Sequence, residues 1–309
     1  MDGSVTVPDG VERDYPLARL TTIRTGGPAE YFARVGSLGR LERLLSWADE
    51  HGFDVGVVGS GSNLLVADAG VRGLVVKLDG ELARITDHGE RLVCGGGARL
   101  PQASARAAAL GLAGLEFGVN IPGTVGGAVK MNANAYGGEL GRVLEWVDVS
   151  SPAGTTRRQP EELGFAYRSS NLGPREIAAR ASFALERSEP AAIKRVLADM
   201  RRRRREAQPS GIKTFGSTFK NPPDPRAEAR TAGQLLEAAG CKGLQVGRAR
   251  FSPKHANFIE NVGGTASTAD VLALIAEGRK RVQERFGIEL ETEVQLLGDP
   301  TREAGAGER

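Results

Sequence analysis

Histidine is nearly missing from this chain. His51, His88 and His255 are the only three in 309 residues, and they stand far apart. A zinc site of the usual local spacing is therefore excluded. Cysteine is scarcer still: Cys94 and Cys241 form no CxxC pair. Such usage suits a reducing compartment, with both thiols acting as small buried apolar residues. There is no run of 18 apolar residues, so no membrane span is expected. The opening "MDGSVTVPDGVERDYP" has neither a basic start nor an apolar core, and does not read as a signal peptide. The chain carries a net charge of only +3. That mild excess suits anionic small molecules without demanding nucleic acid.

Glycine is abundant, at 42 residues, about twice the usual ~7%. With no collagen period and no low complexity, the excess points to tight turns and close backbone approaches. The length implies two or three domains.

Polar, Pro/Gly-rich ends are expected to be mobile at 1–16 and 300–309. "SLGRLERLLSWADEHG" reads as an amphipathic helix, capped at Ser37 and ended by Gly52. "LPQASARAAALG" and "TAGQLLEAAG" read as helices, the latter stopped by Gly240. "SEPAAIKRVLADMRRRRREAQP" is a fourth, with Ser188 as N-cap and a basic C-terminal end. "STADVLALIAEGRKRVQERFG" is a strong fifth, with a Ser267/Asp270 capping pattern. Strands are expected at "VGVVG", "GLVVKL", "RLVCGG", "VLEWVDVS", "EIAARASFALE", "HANFIEN" and "LETEVQLLG". A domain boundary falls near 188–210.

Five stretches carry possible chemistry. In "VVGSGSNLLVADAG" a strand runs into Gly59-Ser60-Gly61-Ser62-Asn63. Small residues let consecutive N–H groups converge on an anion; the plain alternative is a hairpin turn, and the two stand level. No helix pattern follows, which disfavours a Rossmann fold. "GVNIPGTVGGAVKMNANAYGGE" sets Gly123, Gly126 and Gly127 among apolar residues, as a backbone lying flat against a ligand requires. "FAYRSSNLG" offers Arg168 as a clamp for carboxylate or phosphate. "KTFGSTFKNPPDP" presents Ser217 without a hydrolase elbow, though His255 remains a candidate distant base. "LETEVQLLG" places Glu291 and Glu293 on one strand face. The run Arg201–Arg205 continues a helix, so its side chains radiate instead of forming one patch.

Together and in order, these stretches resemble the UDP-N-acetylenolpyruvoylglucosamine reductase family, over nearly the whole chain from Thr21 to Gly298. "IPGTVGGAV", "GSTFKNP" and "KHANFIEN" are together highly specific. The resemblance implies an α+β fold: a two-part FAD-binding region of the vanillyl-alcohol-oxidase type over 17–190, split near 75, and a C-terminal α+β substrate-binding domain over 191–299. The short gap between "YRSS" and "GSTFKNP" looks like the type II branch.

It also implies a reaction. NADPH is the co-substrate, FAD the non-covalent carrier, and an enolpyruvyl UDP-sugar the acceptor. The catalytic residues of the family map to Ser217 as proton donor, with Arg168 and Glu293 at the carboxylate and the developing enolate. Beside a growing anion Glu293 serves only through a proton. FAD contacts map to Gly59, Ser60, Gly61, Ser62 and Asn63 for the diphosphate and to Ile121, Pro122, Gly123, Thr124, Gly126 and Gly127 beside the ring. Val58, Leu64, Asn132 and Ala133 map as further cofactor contacts. Substrate contacts map to Lys220, Asn221, Lys254 and Gln295, the last standing where the family often has Arg. Asn134 replaces a usual Gly and is expected to tolerate a positive φ. The resemblance implies a cytoplasmic monomer with no metal, no nucleic acid and no membrane partner. The competing readings are a flavoprotein oxidase of the same fold, or a nucleotide- or nucleic-acid-binding protein using the Arg run.

Overall fold

A computed structural model describes residues 5–301. The parts of the expected mobile ends at 1–4 and 302–309 lie outside the described residues. The chain forms two compact units, each discontinuous in sequence. The first takes the chain up to Tyr15, Glu30–Ser60 and Arg72–Arg204. The second takes Pro16–Ala29, Gly61–Val71 and the chain from Arg205 onward.

The first unit holds two sheets. One has four strands in the order Val11–Pro16, Pro28–Val35, Val71–Leu78, Val55–Val57. The helix Leu38–Glu50 buries Leu41, Leu44, Leu45 and Ala48, one face at the expected helical spacing. They meet Tyr31, Leu74 and Val76 of the sheet. Each fully buried Leu contributes about 1.5–3 kcal/mol. Ser37 is the N-cap through its carbonyl, which accepts from Leu41 N at 3.1 Å, while its hydroxyl makes no cap bond. Val11–Pro16 corrects the expectation of a mobile end through residue 16. Its polar composition hides an aromatic anchor, Tyr15 stacked on Phe32 at 3.9 Å.

The other sheet is antiparallel, ordered Gly154–Arg158, Leu144–Ser151, Ile177–Ala184, Arg91–Gly95, Ile85–His88. The helices Leu100–Ala109 and Val125–Lys130 supply Leu100, Ala103, Ala107, Val125 and Val129 to the same apolar core as its strands. Gly126 lets the short helix lie directly on the strands. Its N–H donates to Gly96 O at 2.8 Å, and a Cβ there would stand 2.9 Å from Ala178 O.

The basic helix spans Pro190–Ala207. It starts one residue later than a Ser188 cap requires, because Ile193 N bonds the Glu189 carbonyl at 3.2 Å. Its arginines radiate as helical geometry demands. Arg202 and Arg203 pair with Asp199 at 2.5 and 2.6 Å. Arg204 turns inward to the Asn120 carbonyl, and burial lowers its pKa. Among the described residues, no helix is long and apolar enough to cross a membrane.

The second unit builds on the helices Ala232–Ala238 and Thr268–Phe286 and a sheet ordered Gln245–Val246, Ala249–Phe251, Ile259–Asn261. A parallel pair joins Gln295–Leu297 to Leu64–Val66. The Ser267/Asp270 capping box closes in both directions: Asp270 N reaches Ser267 Oγ at 3.0 Å, and Ser267 N reaches Asp270 Oδ2 at 3.2 Å. Such a cap contributes ~1 kcal/mol. Phe215, Phe219, Leu235, Phe251, Val271 and Leu274 fill the core. Two expected strands are shorter than their apolar runs. "HANFIEN" contributes only Ile259–Asn261, because Phe258 N turns back to His255 O at 3.0 Å. "LETEVQLLG" contributes only Gln295–Leu297.

Candidate active site

In the first unit the Gly59–Ser60 start of one glycine-rich loop adjoins the Ile121–Gly127 loop. Ser60 Oγ donates to Pro122 O at 2.5 Å. Behind them Val58 is fully buried and bonds Val76 O at 2.9 Å. The glycines separate into two kinds. At Gly59 a Cβ would stand 2.5 Å from Thr124 Oγ1, so close packing accounts for it, as it does for Gly126. At Gly123 and Gly127 the nearest atoms to a Cβ are 3.8 and 3.5 Å away, so internal crowding does not require glycine there. Bare backbone at these two positions fits a flat ligand instead. Ile121 is partly buried and Thr124 buried; the Thr124 hydroxyl accepts from Gly127 N at 3.4 Å.

Asn132 and Ala133 are buried. The Asn132 amide donates to Glu139 Oε1 at 2.5 Å and to Ala166 O at 3.2 Å, and accepts from Gly141 N at 3.1 Å. Through its side chain Asn132 shapes the surrounding loops. Asn134 needs no special backbone allowance, for the positive φ falls on its neighbours Asn132 (+39°) and Tyr136 (+53°). The Asn134 carbonyl instead accepts from Arg168 Nη1 at 3.1 Å.

Arg168 sits at the tip of a tight turn closed by two Ala166–Ser169 backbone bonds of 3.1 Å each. Its φ is +55°. A long side chain in the left-handed region costs on the order of 1–3 kcal/mol, and such strain clusters at functional sites.

Lys77 was not singled out in the sequence. It lies in the strand Val71–Leu78, and its ammonium donates to the Gly59 carbonyl. Burial first, then Arg34 and Arg99, holds its pKa below the ordinary 10.5, with Asp79 opposing. The glycine loop thus adjoins cations in excess of nearby acid, which fits a diphosphate. A lowered lysine pKa costs the folded state while the group is charged. Stability is lost as pH falls through the lowered folded value, and recovered as pH rises toward 10.5. Lys77→Met in the flavin-free protein is therefore expected to raise Tm at neutral pH. The same variant is expected to weaken flavin dinucleotide binding, read by equilibrium dialysis. A lower Tm with unchanged binding would reject both statements.

In the second unit Ser217 is partly exposed, follows Gly216 at φ +86°, and bridges Phe258. Glu293 comes beside it: Glu293 N donates to Thr218 O at 2.8 Å, and Lys220 N donates to Glu291 O at 2.9 Å. Glu291 and Glu293 therefore flank Thr292, which pairs with Phe219. Asn63 ties this run to the parallel pair, its Nδ2 on Glu293 O at 3.1 Å and its carbonyl accepting from Gln295 N at 3.0 Å. Leu64 pairs with Gln295. Gly61 is fixed by contact with Leu20, whose carbonyl would lie 2.0 Å from an added Cβ. Ser62 is partly buried.

The four expected substrate contacts each hold a protein partner. Lys220 Nζ pairs with Glu291 at 2.5 Å, and Asn221 Oδ1 accepts from Ala232 N at 3.0 Å, at the start of a helix. Lys254 Nζ donates to Arg205 O at 2.9 Å, and Gln295 Nε2 to Glu293 O at 3.2 Å. Among the described residues no hydrogen bond joins His255 to Ser217. The His255 Nδ1 accepts from Asn257 N at 3.2 Å, and burial lowers its pKa. Burial also pushes the Cys94 and Cys241 thiols up to about 12 and about 11, which makes them poor nucleophiles.

Residues 29–159 match the model of an FAD binding domain, and residues 208–297 match the model of the UDP-N-acetylenolpyruvoylglucosamine reductase C-terminal domain. The UDP-N-acetylenolpyruvoylglucosamine reductase of Anaeromyxobacter dehalogenans is 46% identical over 287 residues, covering 93% of this chain and 85% of that protein. UDP-N-acetylenolpyruvoylglucosamine reductase 2 of Symbiobacterium thermophilum is 45% identical over 293 residues, covering 94% and 93%. A crystal structure of the Thermus caldophilus reductase superposes with a TM-score of 0.80 at 40% identity, over 93% of this chain and 98% of that one.

Proposed function

The chain belongs to the UDP-N-acetylenolpyruvoylglucosamine reductase family, and from that premise we propose how its residues reduce UDP-N-acetylenolpyruvoylglucosamine to UDP-N-acetylmuramate for peptidoglycan synthesis. When bound, FAD would supply the hydride transfer from NADPH to the terminal carbon of the enolpyruvyl double bond. The chain's own residues hold the cofactor and substrate, manage charge and supply a proton.

The glycine loops around Gly59–Asn63 and Ile121–Gly127 hold the dinucleotide without a covalent link, and Lys77 balances diphosphate charge. Arg168 holds the substrate carboxylate, where its planar fork and permanent charge oppose the negative charge that develops next to it. Ser217 donates the proton to the carbon bearing that carboxylate. Glu293, protonated, donates a hydrogen bond to the enolate oxygen. Lys220, Asn221, Lys254 and Gln295 contact the UDP-sugar, Lys220 by exchanging Glu291 for phosphate. The protein acts as a cytoplasmic monomer.

The observation that best supports these roles is the rung between Glu293 N and Thr218 O. It sets the backbone of the proposed acid against the residue that directly follows the proposed proton donor. The deciding assay is NADPH oxidation that depends on the enolpyruvyl UDP-sugar. Purified protein should show flavin absorption bands. A colourless protein, or NADPH oxidation indifferent to that sugar, would reject the reading.

A further inference from the structure

The "HANF" run enters no catalytic role above, yet its asparagine grips the serine loop. Asn257 is 4% exposed. Its Oδ1 accepts from Phe219 N at 2.9 Å, and its Nδ2 donates to Phe219 O at 2.8 Å. Its own carbonyl accepts from Thr218 N at 2.7 Å. One residue therefore satisfies three backbone groups of the two residues that follow Ser217. The side-chain amide does here what a neighbouring strand would do, meeting a donor and an acceptor of one residue at once.

The opposite edge of the same segment is also tied. Thr218 O and Lys220 N bond the backbones of Glu293 and Glu291 at 2.8 and 2.9 Å. Phe219 is 1% exposed and sits in the core. Thr218–Lys220 is thus a short ribbon held on both edges and pinned from below. Ser217 leads into it directly after Gly216, whose φ of +86° is open to few other residues. The orientation of Ser217 depends on how firmly the next peptide is fixed, and catalysis by a weak acid tolerates little misplacement.

We propose that Asn257 is a positioning residue that fixes the Thr218–Phe219 peptide and thereby aims the Ser217 hydroxyl at the carbon it protonates. The inference rests on the reading of Ser217 as proton donor. It invokes the amide as such: aspartate has the same shape but no N–H for Phe219 O, and would set a carboxylate oxygen against that carbonyl.

The test is Asn257→Asp in the flavin-loaded protein, made both with Ser217 present and in the Ser217→Ala background. Stopped flow follows two steps, flavin reduction by NADPH and flavin reoxidation by the enolpyruvyl sugar. With Ser217 present, reoxidation is expected to slow at least tenfold, with sugar affinity and the NADPH step within twofold of the parent. The solvent deuterium effect on reoxidation is expected to grow, since proton delivery is what has been impaired. In the Ser217→Ala background the same substitution is expected to change reoxidation less than twofold, because no hydroxyl remains to be aimed. Equal losses in both backgrounds would assign Asn257 a purely structural role and overturn the proposal, as would no loss in either. If Ser217→Ala alone leaves reoxidation fast, the underlying reading fails, a result distinct from failure of Asn257. Should Asn257→Asp not fold, Asn257→Gln keeps both amide functions one methylene out of place, and the same two-background comparison decides.

Discussion

Ser217→Ala is expected to reduce flavin with NADPH at the parental rate and to lose reoxidation by the enolpyruvyl sugar by about 10²–10⁴-fold, the range that a positioned proton donor supplies. The substitution is well suited to the question. Ser217 is partly exposed and lies outside the core, while the residues after it are held by backbone bonds to Asn257, Glu291 and Glu293. Alanine leaves those bonds in place, so stability should change by no more than about 0.5 kcal/mol. Affinity for the sugar should hold and turnover should fall, since the missing interaction forms only as the carbon is protonated. Equal loss of both half-reactions would instead make Ser217 a structural residue.

Arg168→Lys is expected to reduce kcat/KM for the enolpyruvyl sugar by about 10²–10³-fold, comparable to removing one preorganised donor from a developing anion. Lysine keeps the charge, so a loss of this size isolates the contribution of the fork. The turn that carries Arg168 should survive, because both residues face the same left-handed backbone cost at φ +55°. The Nη1 bond to Asn134 O at 3.1 Å orients the guanidinium, and a flexible ammonium does not reproduce that planar geometry. Both kcat and KM should worsen, since the carboxylate is present before and during the reaction. Steady-state kinetics giving less than a threefold change would remove Arg168 from the site.

Much of this was legible in the chain. The Leu41, Leu44, Leu45, Ala48 face and the Ser267/Asp270 box depend on residues within a few positions of each other, and both formed as read. The strand lengths at "HANFIEN" and "LETEVQLLG" were over-read. An apolar run shows what wants burial, whereas strand length depends on a partner edge elsewhere in the chain. Lys77 gave no signal, because in "GLVVKL" it is an ordinary polar residue at the end of a strand; only the approach of Gly59 makes it matter. Asn257 lay inside a quoted motif, but its partner is Phe219, and no local spacing reveals that contact.

The glycine loops show the division most clearly. Composition alone left a phosphate nest and a plain turn level. Packing then separated Gly59 and Gly126, which close contacts require, from Gly123 and Gly127, which they do not. The membership of Pro16–Ala29 and Gly61–Val71 in the second unit was likewise a tertiary decision. Ile23 and Leu65 are buried in that unit's core, and the Asp68 carboxylate accepts from Thr268 N and Ala269 N at 2.8 Å each, at the N-terminus of the long helix. Local sequence was enough for the helices, the Ser267/Asp270 cap and the ordered motifs that place the chain in its family, because those rest on neighbours a few residues apart. Tertiary structure alone decided which distant segments share a core and which polar groups meet, because burial and hydrogen bonding there join residues tens to hundreds of positions apart.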